Sequence, residues 1–506
     1  LQIQQKPTPV KSYSPFGLKP HALLPGFLVA LGLFAMACSR QHADAAPETI
    51  RVGVFPDYDD ITIPPNIASL NFEVLTDADQ YEASITDPSH HRIDVRSRSG
   101  QIRFPLAKWK KMLRSNAGNI LAVDILYKND GQWYRMKTRH LRVANEPVDP
   151  FVAYRLIEPG YETWNKMGIY QRNLENFDEE PVLINTLSDG NCMNCHAFGG
   201  NSTRTMMIHL RSKYGGTVIH HNDSTYKVDT RTDSTLSAGV YPSWHPSGRF
   251  VAFSVNQIVQ LFHALPDKKI EVVDTLSDII LYDVNHNLVI RSDKLSSPDR
   301  LETMPSWSPD GKTLYFCSAP RHDFSKDDKP KYDLCRVSFD PENSGFGEPE
   351  ILIAASEAGY STSFPRVSPD GRTLVFCRAD YGSFTIWHPE SDLYMMDLND
   401  LSVSKADINS NRTESYHSWS SDGRWMVFSS RRIDGLYTRL YLSYFDEQGK
   451  WHKPFLIPQR SPHSNRESLK SFNVPELISE KIPFNPRGLN DVVHSAAKSA
   501  NFKHIR

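Results

Sequence analysis

The sequence predicts an all-β protein, a small β-sandwich followed by a β-propeller of six blades, with seven as the alternative. Three observations carry this. Short apolar–polar alternations run from Thr49 to about residue 145. A four-strand unit recurs through the second half. Tyr (21) and Phe (25) are abundant and Pro (34) outnumbers Gly (26), a balance of strands and turns. With 506 residues, 39% of them hydrophobic, the chain can bury a sizeable core. Its 57 basic and 59 acidic residues leave a net charge of −2, which argues against a nucleic-acid partner.

Residues 1–38 read as an export signal. Lys11 and Lys19 precede the apolar run ALLPGFLVALGLFAMA (Ala22 to Ala37), which is too short for a spanning helix and ends at Cys38. Ala35-Met36-Ala37-Cys38 resembles a bacterial lipoprotein cleavage box, which would make Cys38 the lipidated residue. An ordinary signal peptide with a chance Cys is the other reading. The polar residues 39–48 suit a linker. Either reading exports the chain to an oxidising compartment.

Residues 49–147 form the predicted sandwich, immunoglobulin-like in size. The alternating runs IRVGVFPDY, IASLNFEVLT, ILAVDILYK and QWYRMKTRHLRV supply strands, and Asp130-Gly131 marks a hairpin. PLAKWKKMLRSNAG, from Pro105, has helical spacing and a Gly stop.

The propeller is assigned to residues 148–480, leaving 481–506 as a tail. Four segments align: YPSWHPSGRFVAFS from Tyr241, MPSWSPDGKTLYFC from Met304, FPRVSPDGRTLVFC from Phe364 and YHSWSSDGRWMVFS from Tyr416. Each reads as strand, tight turn and strand, with starts 63, 60 and 52 residues apart, enough for four strands per unit. These segments resemble TolB-type propeller repeats. The segment NCMNCHAFGGNSTRTMMIHL takes the place of the preceding blade. The blade from Tyr154 to Thr186 needs a first strand, which SLKSFNVPEL near Ser468 can supply, closing the ring.

Cys192-Met193-Asn194-Cys195-His196 is a CxxCH motif. Its two thiols can form thioethers to one haem, and the adjoining imidazole can reach the iron as axial ligand. One covalent haem c is therefore the expected cofactor. A thioredoxin-type CxxC would want a helix N-terminus, and zinc would want two more close ligands. Alignment matches Cys195-His196 with Pro242-Ser243, Pro305-Ser306, Pro365-Arg366 and His417-Ser418, at one mouth of the central channel. His263 and His209 are the candidate distal ligands by blade order, with His417 and Met304 as alternates. Met206 and Met207 read as strand packing. Cys317, Cys335 and Cys377 read as structural, either as buried thiols or with a Cys317–Cys335 disulfide.

The whole arrangement resembles exported bacterial lipoproteins that join one cytochrome c motif to a TolB-like propeller. The resemblance implies haem binding and electron transfer, and with the N-terminal segment ending at Cys38 the expected setting is a periplasm-facing outer-membrane lipoprotein, anchored in the membrane, with a redox partner protein in the cell envelope. The first expectation is a tethered electron carrier with the propeller as docking scaffold. The alternatives are a haem enzyme with an open coordination site at the channel mouth, and an envelope interaction module with a redox-sensing haem. No G-x-S-x-G elbow supports a propeller-type peptidase.

Overall fold

The computed structural model describes residues 45–47, 52–158, 165–265, 268–322 and 329–505. Cys38, the apolar export segment and most of the 39–48 linker lie outside the described residues.

The first domain packs a seven-stranded sheet against a three-stranded one. Ile120–Asn129 is the long central strand, paired antiparallel with Gln80–Thr86, Gln132–Arg135 and Arg139–Val143. The hairpin expected at Asp130-Gly131 forms with positive φ at both residues (49° and 80°), the geometry a two-residue turn needs to match strand twist. The amphipathic segment after Pro105 is a helix, Leu106–Arg114, that buries Trp109, Met112 and Leu113. The Trp109 indole stacks on Phe104 and donates to the Ile67 carbonyl at 3.0 Å, so its polar edge is satisfied inside the core.

Six further sheets make the propeller. Blades two to six each begin with an innermost strand: Met193–Gly199, Val240–Trp244, Arg300–Trp307, Ser361–Val367 and Glu414–Trp419. Blade one is completed from the far end of the chain, because Ser471–Ile478 pairs antiparallel with Phe151–Glu158. The Ser-x-Asp-Gly turns behave as hairpin turns. In Ser308, Ser368 and Ser420 the hydroxyl donates to the carboxylate two residues on at 2.6, 2.5 and 2.5 Å, and Gly311, Gly371 and Gly423 take the positive φ.

Two junctions position these parts. Trp425, Val427 and Leu442 of blade six share one core with Leu121 and Leu141 of the first domain. The Trp425 indole donates to the Glu146 carbonyl (3.2 Å) and Tyr444 donates to the Glu146 carboxylate (2.7 Å). The tail is ordered rather than plain. Helix Pro486–His494 is capped by Asn485, whose side chain accepts from the Arg487 and Gly488 amides. Beyond it, Lys498–Ser499 and Asn501–Ile505 add parallel strands to the outer edges of blades two and three.

The Cys317–Cys335 disulfide does not form. Cys317 pairs across the sheet with Leu334 and Cys335 with Phe316, so the thiols point to opposite faces and into different cores. Both are free and buried, as is Cys377.

Candidate functional site

Every innermost strand carries a bulge at the same place. Pairing shifts between Met193 and His196, Val240 and Ser243, Thr303 and Ser306, Ser363 and Arg366, and Ser415 and Ser418, each placing two residues opposite one. In blade one, Val474 and Pro475 oppose Tyr154. The first bulge residue is left-handed in five blades: Tyr241, Met304, Phe364, Tyr416 and Val474 have φ of 46–56°. Such a backbone costs on the order of 1 kcal/mol or more for each non-glycine residue and re-aims its side chain. Here all five line the central channel.

The second bulge residue is Pro in four blades (Pro242, Pro305, Pro365, Pro475), which suits a place without a ladder hydrogen bond. In the other two it is Cys195 and His417. The residue after the bulge is Ser243, Ser306 or Ser418 in three blades and an ionisable side chain in the others: His196, Arg366 and Glu476.

The channel holds a cavity of about 570 Å³, within the range of roughly 300–1,000 Å³ that takes cofactor-sized molecules. Cys192, Cys195 and His196 all line it. Both thiols are free. Burial pushes the Cys192 thiol up, while the Arg155 and Arg211 charges pull it down. The His196 side chain is fully buried, and neither ring nitrogen makes a well-formed hydrogen bond. Its closest carboxylate contact puts Nε2 3.8 Å from Glu476 Oε1. Burial, aided by Arg155, holds the ring neutral with a pKa of about 3, opposed weakly by the Val474 backbone. Burial pushes Glu476 up to about 7 against the pull of Arg366 and the Phe198 amide, which donates to its Oε2 at 3.2 Å. Chemically, the three motif side chains offer two thiols for covalent attachment and one neutral imidazole for a metal. Among the described residues no cluster of three His, Cys, Asp or Glu side chains suits a bare metal ion.

The alternates Met304 and His417 line the same cavity; His209 and His263 do not. The His417 Nε2 is 2.9 Å from the Val375 carbonyl, and burial lowers its pKa to about 3. His209 is the residue opposite the bulge in its blade, where the others have Tyr154, Phe253, Phe316, Phe376 and Phe428. It is thus a core residue, with Nδ1 3.0 Å from the Thr217 hydroxyl. His263 pairs with Glu271 at 2.9 Å, beyond strand Phe250–Phe262, whose hairpin sends only Ile258, Gln260, Ile270 and Val272 to the cavity.

The alignment also put Pro242, Ser243, Pro305, Ser306, Arg366 and Ser418 at the channel, where they line the cavity, but it missed the aromatic side chains, Glu476 and the other arginines. Tyr241, Phe364 and Tyr416 form an aromatic collar, with Phe364 4.8 Å from Tyr416 and 6.5 Å from Tyr241 between ring centroids. Their signal was present, since each opens one of the aligned repeats. Val474-Pro475-Glu476 matches the same pattern and would have put Glu476 in the ring. Arg155, Arg211 and Arg431 have no such signal, because they lie outside the aligned cores.

Among solved structures, the chain is similar to a TolB-type protein from Agrobacterium tumefaciens, at 15% identity over 64% of this chain and 96% of that one, TM-score 0.37. It is also similar to the β-propeller domain of the trilobed protease from Pyrococcus furiosus, at 12% identity over 67% and 94%, TM-score 0.30. No protein-family profile matches the chain. No curated protein matches it either.

Proposed function

We propose that this chain is an exported, membrane-tethered c-type cytochrome that carries one haem in the propeller channel and passes electrons to a partner in the cell envelope. One observation carries the reading. Cys192, Cys195 and His196 line a single cavity, and His196 is buried there with neither ring nitrogen in a well-formed hydrogen bond, only a weak backbone contact at Val474 and Glu476 at 3.8 Å. A buried polar group without a well-formed hydrogen bond is costly, and the cost is lifted when the imidazole ligates a metal.

In this reading Cys192 and Cys195 would hold the haem covalently and His196 would ligate its iron. The haem would supply one-electron chemistry. The protein's own contribution is to orient and shield. Burial keeps His196 neutral, the form that can ligate. The collar of Tyr241, Phe364 and Tyr416 narrows the channel, and Glu476 accepts from the Phe198 amide beside the motif. Met304, a soft thioether on the same wall, is the residue we propose would ligate the iron alongside His196. Export, the lipid anchor at Cys38 and the periplasm-facing location belong to this proposal and rest on the sequence of residues 1–38.

A second reading, a haem enzyme, is favoured by the cavity's volume, which leaves room for a substrate. Carbon monoxide separates the two. Ferrous protein in which Met304 fills the iron's coordination would resist it, and an open site would take it readily. The covalent attachment itself is tested by haem staining of the full chain after a denaturing gel, with the chain made alongside cytochrome c maturation machinery.

A further inference from the structure

Among the described residues, four arginines and a single carboxylate line the channel cavity. The carboxylate, Glu476, lies within the field of Arg366, each favouring the other's charged form. Arg431 is held in place: it donates to the Ile386 carbonyl at 2.8 Å and to the Leu436 carbonyl, and stacks on Trp387 at 3.4 Å. Arg211 and Arg155 also line it, and both act electrostatically on Cys192, while Arg155 is in addition engaged with the Tyr416 hydroxyl. The Arg211 amide donates to the Cys192 carbonyl at 2.9 Å, which ties that guanidinium's backbone to the first thiol of the motif. Arg155 comes from the neighbouring strand of blade one, opposite Asn473.

An excess of guanidinium charge in a partly desolvated cavity focuses a field on anions. Arginine in particular recognises carboxylate through paired hydrogen bonds. We infer that Arg211 binds the carboxylate side chains of the tetrapyrrole held at Cys192 and Cys195, so that the acid edge of that ligand sits at the Cys192 end of the channel. The inference deepens the haem reading and rests on it.

The test uses the full chain carrying Cys192→Ala and Cys195→Ala, so that binding is reversible. Metal-free protoporphyrin and its dimethyl ester are titrated separately, with porphyrin fluorescence as the readout. The ester has the same ring and lacks the charges. The diacid should bind about tenfold tighter than the diester, as charge-assisted hydrogen bonds require. That preference should shrink as salt is raised. Arg211→Gln should remove most of the preference and leave the diester affinity unchanged. Equal affinities, no binding of either porphyrin, or an Arg211→Gln chain with the full preference would overturn the inference. If Arg211→Gln does not fold, the diacid–diester comparison decides alone. Haem staining of the unsubstituted chain separates the two claims. Stain without a diacid preference defeats only the arginine assignment, and a diacid preference without stain defeats only the covalent reading.

Discussion

His196 Nε2 lies 3.8 Å from Glu476 Oε1, although the residues are 280 positions apart. Both follow the bulge of their innermost strands, and blades one and two are neighbours because Ser471–Ile478 closes the ring beside Phe151–Glu158. The wall around the CxxCH motif is therefore completed only when the C-terminal strand docks.

This closure should be energetically visible. Leu477 is fully buried on the closing strand, in the core shared by the first domain and blade six. Leu477→Ala is expected to cost about 2–5 kcal/mol in denaturant unfolding, as large-to-small core changes do.

His209 occupies a place that the other blades fill with Phe or Tyr. Burial, with help from Arg211, holds its ring neutral with a pKa of about 3, against 6.5 for an ordinary histidine. Below pH 6.5 the unfolded chain takes a proton that the folded one refuses, so stability falls until pH reaches about 3. His209→Phe should lessen this acid sensitivity, by up to about 4 kcal/mol near pH 3. It should leave the haem spectrum unchanged. A spectrum altered by His209→Phe would return that residue to the ligand set.

Glu302 gives the opposite pH signature. It is buried, its Oε2 has no hydrogen-bond partner, and burial reinforced by Asp278 pushes its pKa from 4.5 to about 8. Below pH 4.5 the carboxyl is protonated in both states. Between 4.5 and 8 only the unfolded chain ionises, so stability falls as pH rises. Glu302→Gln should flatten that slope and raise stability at pH 9 by on the order of 2–4 kcal/mol, measured by urea unfolding across pH.

Met304 is assigned as the second iron ligand because it offers a thioether at a first bulge position on the cavity wall; the other thioether there, Met167, is engaged by the Met193 amide, which donates to its Sδ at 3.2 Å. Met304→Ala should convert a low-spin optical spectrum to high spin and open the ferrous form to carbon monoxide. His263→Ala should do neither, since His263 is engaged with Glu271 away from the cavity.

The repeat made the propeller legible, because a Gly turn between two alternating strands has one structural meaning. The same alignment placed Cys195 and His196 at the channel, where they lie. Blade order served less well for the distal ligand. It tells which blades are near and says nothing about which side of a strand a residue faces. His209 failed on this point, although its alignment with Phe253, Phe316, Phe376 and Phe428 marked it as core. The left-handed bulges were hidden because Tyr, Met, Phe and Val stand where glycine usually signals positive φ. Arg155 and Arg211 reach the cavity through tertiary placement alone, which no local pattern encodes.

The most direct test of the central claim is the mass of the peptide containing Cys192 to His196, taken from full chain made with cytochrome c maturation machinery. The account predicts that this peptide carries one haem through denaturation and acid-acetone extraction, and that Cys192→Ala with Cys195→Ala abolishes it. An unmodified peptide with both thiols free, in protein from cells that load other c-type cytochromes, would contradict it.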